Sequence, residues 1–360
     1  MTIRTALIGF GTGGRYFHEP FLGTNDAYDI RAVVTSSPQR RAAAEERYRV
    51  LGSVQEVWAR ADEFDLAVVT SPTALHTEHA LAALDTGLHV VVDKPIATTS
   101  ADARVVVERA GKAGRSLSTY QSRRWDAEVR TARTLVDAGV LGEVLSLELA
   151  FQRDVGPLRP GWRDTAEPGV GGGVTFDLGS HMVDAAQYLL GPAESVTGSV
   201  RSVRGGPADD DMDARLVHVG GATSRIVCGW VSEQSLPRLR ITGTEAGYTV
   251  GDSDTQEAAL KRGERPSGPG FGQVPPERWG RLTSVDGTSR RTPTANGDYA
   301  AFYRGLARHL TEGGPLPVNP LDAVRTLEIL ETLLAGRLPR RAGRHPRHTK
   351  EEQCSTSRPA

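Results

Sequence analysis

Ile3-Arg-Thr-Ala-Leu-Ile-Gly-Phe-Gly-Thr-Gly-Gly14 decides the fold of the first part of the chain. Residues 3–8 are short, apolar and β-branched, as a buried strand requires. Gly9, Gly11 and Gly14 follow at once as G-x-G-x-x-G, and a helical segment with Tyr16, Phe17, Phe21 and Leu22 comes next. Pro20 should shorten or kink that helix. Between a strand and a helix the pattern is specific: the glycines allow a tight turn and let a pyrophosphate approach the helix N-terminus. Gly9, Phe10, Gly11, Thr12 and Gly14 are therefore expected around a dinucleotide.

Working outward, further strands are expected at 30–34, 65–70, 89–93 and 117–120, with helices over 38–49, 75–85 and 100–113. Gly87 is the expected stop of the second of these helices and Ser100 the N-cap of the third. Strands alternating with helices, several of them apolar throughout, predict a parallel doubly wound sheet, a Rossmann domain over 1–121. After Tyr120 the rhythm changes. A helix near 127–138 leads to alternating segments at 144–151, 195–203, 214–219, 224–231, 238–242 and 248–250, separated by Gly, Pro and Asp. These predict an open, mostly antiparallel sheet in a C-terminal α/β domain over 122–336. Residues 263–296 read as irregular, 298–312 and 321–334 as amphipathic helices, and 337–360 as a disordered tail.

Composition narrows the function. A chain of 360 residues has room for two full cores. A net charge of -1 points to neither nucleic acid nor membrane. Cys228 and Cys354 stand alone, so neither a disulfide framework nor a zinc site is expected. No apolar run reaches ~18 residues and the chain enters a strand directly, so a soluble, cytoplasmic protein is expected.

The end of the second strand selects the dinucleotide. An acidic residue there would bond a ribose 2′-hydroxyl. Here Thr35, Ser36 and Ser37 are followed by Arg40 and Arg41, hydroxyls and guanidiniums suited to a 2′-phosphate. NADP(H) is the expected cofactor, with NAD(H) the second choice. Ligands of such sheets lie at the carboxyl ends of strands. Thr70-Ser-Pro-Thr-Ala-Leu-His76 and Asp93-Lys-Pro95 occupy two such ends. Lys94 there can stabilise a developing alkoxide. His76 and His79 read as packing or capping residues rather than metal ligands, and no metal is expected.

One stretch remains, Gly171-Gly-Gly-Val-Thr-Phe-Asp-Leu-Gly-Ser-His-Met-Val-Asp184. On a helix Asp177, His181 and Asp184 share a face, so a carboxylate one turn from an imidazole can orient it as a general acid/base. Taken alone, the same spacing also fits a helix start with a core histidine.

Together these motifs resemble the Gfo/Idh/MocA oxidoreductase family over about residues 1–335. The carriers are the glycine turn, Thr70-Ser-Pro72 with His76, Asp93-Lys-Pro95, and Gly171-Gly-Gly with Asp177 and His181. Members more often have Glu where Asp93 stands. The Asp form, with Gln121-Ser-Arg-Arg-Trp-Asp126 and Trp162-Arg163, is similar to the branch containing NADP-dependent scyllo-inositol 2-dehydrogenases. The resemblance implies Lys94, Asp177 and His181 as the catalytic group. Ser71, Pro72, His76 and Lys94, at their strand ends, are expected to face the cofactor, with Trp162 and Arg163 beside it. Lys94, Asp177 and His181 are expected to contact the substrate, and Arg124 and Arg163 to bind substrate hydroxyls or a cofactor phosphate. The implied reaction moves a hydride between nicotinamide and a secondary alcohol or ketone of a cyclitol or sugar. Alternatives are a nucleotide-ketosugar reductase, a nicotinamide-dependent glycoside hydrolase, and a non-catalytic NADP-sensing regulator. The joint presence of Lys94, Asp177 and His181 speaks against the regulator. The loops after Phe151 and from Gly263 onward are expected to shape the substrate pocket. An open sheet face needs cover, so a homodimer or homotetramer through the C-terminal sheet is expected.

Overall fold

The structure, a computed structural model, describes residues 2–338 apart from 159, 233–235 and 253, and without the side chains of Trp162 and Pro168. Its first sheet contains β1 (Ile3–Ile8), β2 (Tyr28–Val34), β3 (Val50–Leu51), β4 (Leu66–Val69), β5 (His89–Asp93) and β6 (Leu117–Tyr120). The order is β3-β2-β1-β4-β5-β6, and every pairing is parallel. All four residues of β4 are buried because both faces of the sheet are covered, which is why the strand is apolar without alternation. Helices α1 (Glu19–Leu22), α2 (Pro38–Glu45), α3 (Val54–Trp58), α4 (His76–Asp85) and α5 (Ser100–Ala113) make the crossovers. The strand order reverses between β1 and β4, and this switch opens a crevice at the carboxyl ends.

The second sheet has eight strands: β7 (Val144–Gln152), β8 (Ala193–Arg201), β9 (Asp211–His218), β10 (Thr223–Gly229), β11 (Leu239–Gly243), β12 (Ala246–Val250), β13 (Arg281–Ser284) and β14 (Ser289–Arg291). Its order is β14-β13-β12-β11-β7-β10-β9-β8. Only the β7–β10 pair is parallel among the pairings of this sheet. Helices α6 (Ala127–Asp137), α7 (Trp162–Thr165), α8 (Ser180–Leu190), α9 (Gln256–Lys261), α10 (Ala300–Glu312) and α11 (Pro320–Ala335) complete the chain. In β9, Met212, Ala214, Leu216 and His218 are buried while Arg215 and Val217 are exposed, the alternation of a sheet covered on one side. The helix α8 packs on the covered face against β7 and β10. The other face stays open and carries Leu145 and Val217.

The closing helices return to the first sheet. Tyr299, Phe302, Tyr303 and Leu306 share one apolar cluster with Leu7, Val33, Val68 and Val91. Helix α11 touches α5, α8 and β8 and so ties the two sheets together.

Several expectations need correction. Residues 263–296 are not wholly irregular, because β13 and β14 extend the sheet to its edge. Their short, arginine-bearing sequences suit an edge and hide the strand signal. The helix after the glycine turn begins as a wide π turn, Gly13–His18, and Pro20 then sits in the first turn of α1, where its missing N–H costs nothing. Thr99 rather than Ser100 caps α5, its Oγ1 accepting from the Asp102 N–H at 3.0 Å. The helix expected to Arg49 ends at Glu45, and β3 and α3 follow it unforeseen. Arg337 and Leu338 bond back to Pro207 and Val200, so the expected tail does not begin at 337; residues 339–360 lie outside the described residues. Among the described residues no helix is long and apolar enough to cross a membrane.

Candidate active site

The crevice at the strand ends is a cleft of about 780 Å³, lined from both sheets. That volume is within the usual range for a small-molecule site. Gly9, Phe10, Gly11 and Thr12 line it. Gly9 has φ +106°, and a methyl placed on it would lie 2.6 Å from the Thr70 carbonyl oxygen, so only glycine fits the turn. Gly14 is not among the lining residues; it packs against the Gly9 carbonyl, which brings the helix close to the strand. Gly13, outside the three-glycine pattern, is needed as well. A side chain there would meet the Asp93 carboxylate. This cradle of missing side chains at a helix start fits a pyrophosphate.

At the end of β2 the lining residues are Val34, Thr35, Ser36 and Arg40, with Gly52, Ser53 and Val54 beside them. None is acidic. The Arg40 guanidinium lies over Gly11, its Nη1 3.6 Å from where a methyl on that glycine would sit. Ser37 is not among the lining residues; it heads α2 and donates to Gln39 at 3.1 Å. Arg41 turns to Glu45 at 2.7 Å, a solvated helix pair. Of the two arginines read from the sequence, the structure brings only Arg40 to the cleft.

Ser71, Pro72, His76, Asp93 and Lys94 all line the cleft. His76 is a brace. Its Nδ1 lies 2.8 Å from the Pro95 carbonyl and its Nε2 2.8 Å from the Ser71 carbonyl. Burial pushes its pKa down, partly countered by those carbonyls. His79 holds Ser71 Oγ at 3.0 Å. The two histidines thus fix the loops after β4 and β5, including the cis Lys94–Pro95 peptide. Among the described residues no cluster of three or more His, Cys, Asp or Glu is placed to hold a metal ion.

Lys94 Nζ donates to the Asp177 carbonyl at 2.6 Å and to Asp177 Oδ1 at 3.2 Å. Arg163 Nε lies 3.6 Å from the same Oδ1. Asp177 sits on a π turn, Thr175–Gly179, that runs into α8. Asp209 anchors the start of that turn, accepting from Thr175 N at 2.8 Å and Thr175 Oγ1 at 2.7 Å. Burial alone would raise the Asp177 pKa, but Lys94, Arg163 and Arg153 outweigh it and hold the carboxyl well below its ordinary range. His181 lies in the first turn of α8, lines the cleft, and keeps Nδ1 buried without a hydrogen-bond partner. Burial first, then the charges of Lys94, Arg123 and Arg238, push its pKa well down, so the imidazole is neutral near pH 7.

The expectation that Asp177 orients His181 is corrected. The wide turn aims the carboxylate at Lys94 instead, and no Asp177–His181 hydrogen bond forms. Asp184, third on that face, is buried and bonded to Arg124 at 2.7 and 2.8 Å. Arg124 also bonds Asp322 at 3.0 Å, is 7% exposed and is not among the lining residues. The expectation of Arg124 as a substrate contact is therefore corrected: its guanidinium is spent on the buried Asp184 and the half-buried Asp322. Its neighbour Arg123 lines the cleft in its place, bonded to Glu257 at 2.5 Å. Trp162 begins α7, and its side chain lies outside the described set.

The sequence reading also missed Arg153, Glu257 and Lys261, all lining the cleft. Arg153 and Val155 come from the loop after Phe151, as expected, but among the described residues none from Gly263 onward lines the cleft; α9, just before it, does. Behind the cleft, Asp93 Oδ1 accepts the Lys94 N–H at 2.8 Å, while Oδ2 is 3.8 Å from His18 Nε2. His18 Nδ1 meets Tyr303 Oη at 2.6 Å, so α10 fixes the imidazole that faces Asp93.

Known proteins match the chain in sequence and fold. Residues 3–121 match the oxidoreductase family, NAD-binding Rossmann fold, and residues 129–249 match the GFO/IDH/MocA C-terminal domain. The scyllo-inositol 2-dehydrogenase (NADP(+)) IolW of Bacillus subtilis is 29% identical over 92% of this chain and 93% of its own. The oxidoreductase YdgJ of Escherichia coli, an uncharacterized protein, is 31% identical over 91% of this chain and 94% of its own. A solved structure of YvaA from Bacillus subtilis superposes with a TM-score of 0.88 at 29% identity, covering 93% of this chain and 96% of that one. A glycine cradle on a parallel sheet, a lysine after β5 and a histidine of α8 lining one cleft, and matches along nearly the whole length make this chain an oxidoreductase of the Gfo/Idh/MocA family.

Proposed function

We propose that the protein is an NADP-dependent dehydrogenase or reductase that acts on a secondary alcohol or the matching ketone of a cyclitol or sugar. The observation that carries this reading is the meeting of Lys94, Asp177 and His181 in the cleft that the glycine turn also lines. Gly9, Phe10, Gly11 and Thr12 would hold the pyrophosphate, and Ser36 and Arg40 the 2′-phosphate. Bound nicotinamide supplies or accepts the hydride.

The chain's own residues do the rest. In the oxidising direction the neutral His181 imidazole takes the hydroxyl proton, and in reduction the imidazolium returns it. The Lys94 ammonium donates a hydrogen bond to the substrate oxygen as negative charge develops there. Asp177 anchors that ammonium through a main-chain and a side-chain oxygen, so its aim survives substrate exchange. Arg163, near Asp177, bears on the same corner of the cleft. Assembly through the open face of the second sheet belongs to the same reading and is checked by light scattering.

The test is spectrophotometric. Purified protein mixed with NADP and scyllo-inositol, myo-inositol or D-glucose should raise nicotinamide absorbance with at least one of them, and NAD should serve less well. Tight NADP binding without turnover of any polyol or its ketone in either direction would sink the reading.

A further inference from the structure

The charges in the cleft are not all accounted for by one another. Lys94 and Arg163 share Asp177, and Arg123 and Lys261 share Glu257 at 2.5 and 2.6 Å. Two guanidiniums that line the cleft have no carboxylate partner among the described residues, Arg40 and Arg153. Arg40 stands at the end of β2, beside the glycine turn. Arg153 stands on the other wall. Its N–H donates to the Gly229 carbonyl at 3.0 Å, which fixes its backbone to the end of β10. Its side chain is exposed and faces the Phe151 ring, 5.7 Å from the centroid, a ring it shares with Arg123 and Arg238. It lines the cleft beside Phe151 and Val155, and its charge, with those of Lys94 and Arg163, bears on Asp177 across the same cleft.

We propose that Arg153 binds an anionic group on the substrate, so that the preferred substrate is a polyol bearing a carboxylate or a phosphate rather than a neutral one. This rests on the dehydrogenase reading above for the position of the reacting carbon. A neutral ligand filling the cleft strips water from the Arg153 cation and returns no counter-charge. An oxyanion returns a paired, bidentate hydrogen bond that a guanidinium is shaped to make. Lys94 and Arg163 already neutralise Asp177, so its carboxylate does not repel such a group. The Phe151 ring beneath Arg153 limits its rotamers without consuming a donor.

The experiment reads binding and turnover separately. Full-length protein saturated with NADP is titrated calorimetrically with D-glucose, D-glucuronate and D-glucose 6-phosphate, as wild type, Arg153→Met and Arg153→Lys. At least one anionic sugar should bind roughly tenfold or more tightly than glucose, and Arg153→Met should cost it about 10- to 100-fold, well beyond any change for glucose. Arg153→Lys should fall between. The arm that responds tells carboxylate from phosphate. Equal affinity for glucose and both anionic sugars in the wild type overturns the proposal, and so does an Arg153→Met loss of equal size for glucose. A weaker NADP affinity in Arg153→Met overturns it too, since that makes the residue a cofactor ligand. Binding that depends on Arg153 without any change in nicotinamide absorbance would keep this site and discard the dehydrogenase reading.

Discussion

Lys94 reaches Asp177 twice, through the main-chain carbonyl at 2.6 Å and the carboxylate at 3.2 Å. One residue directly follows β5 of the first sheet and the other lies on the turn into α8. The shorter bond is to backbone, so it does not depend on the Asp177 side chain. Asp177→Asn should therefore leave the lysine in place and lower kcat less than Lys94→Met does. Loss of the ammonium should lower kcat by about 10²- to 10³-fold, with NADP affinity little changed. Steady-state kinetics with NADP binding followed by nicotinamide fluorescence checks both. An Asp177→Asn enzyme as slow as Lys94→Met contradicts the backbone anchoring.

His181 makes a prediction in pH. Burial and three nearby cations depress its pKa, so the neutral base persists well below the ordinary value of about 6.5. The acid limb of kcat/KM for alcohol oxidation should lie below that value and vanish in His181→Asn. Stability has the same sign. The unfolded chain binds the proton near pH 6.5 and the folded chain does not, so the contribution is present above that pH and lost as pH falls towards the folded value. His76 and His79, also depressed by burial, add to it. Urea unfolding across about pH 5 to 8 should show His181→Asn losing less stability on acidification than wild type. An acid limb at or above the ordinary histidine value would sink the assignment.

Arg40 tests the proposed preference for NADP over NAD. It lies over Gly11 with no carboxylate near it among the cleft residues at that end. Arg40→Gln should raise the Kd of NADP roughly 10- to 100-fold, the cost of one charge-assisted pair, and barely move that of NAD. Arg41→Gln should move neither, since Arg41 is held by Glu45. Isothermal titration of the three proteins with both cofactors tests this.

What was legible in the sequence follows from how local each signal is. The glycine turn is written in consecutive residues, and the first sheet in apolar runs that need no partner to be recognised. Lys94 and His181 could be named because each sits in a short motif. The spatial partner of Asp177 could not, because Lys94 is 83 residues away and a π turn changes which side of the helix start faces the cleft. The same limit exchanged Arg124 for Arg123. Two adjacent arginines are identical to any local rule, and only the positions of Asp184, Asp322 and Glu257 separate the interior one from the cleft one. Arg153 carries no pattern; it follows an alternating strand and gains meaning from what lies across the cleft.

The Arg124 cluster is structural and should behave so. Arg124→Met leaves Asp184, 2% exposed, and Asp322 without their shared cation. The loss should be about 3–5 kcal/mol, the usual cost of leaving a buried charge uncompensated. Adding Asp184→Leu should recover part of it. Chemical unfolding of the single and double variants gives the cycle, and KM per folded enzyme should stay near wild type. A KM change without loss of stability would return Arg124 to the substrate side.

Asp209 tests how the turn that carries Asp177 is held. Its Oδ2 accepts twice from Thr175, while Oδ1 is buried without a partner, pressed close to Gly173. Burial raises its pKa from 3.8 to about 6. Folding therefore favours the proton: the contribution is full below about pH 4, lost as pH rises through 6, and above that the carboxylate costs about 3 kcal/mol relative to the unfolded chain. Asp209→Asn keeps an acceptor for Thr175 and removes the charge, at the cost of an unpaired amide of about 1–3 kcal/mol. The variant should gain on wild type as pH rises from about 5 to 8, matching or exceeding it at the upper end. Urea midpoints at the two pH values measure this, and a deficit of equal size at both would show that Asp209 is held as a carboxylate for a reason other than capping Thr175.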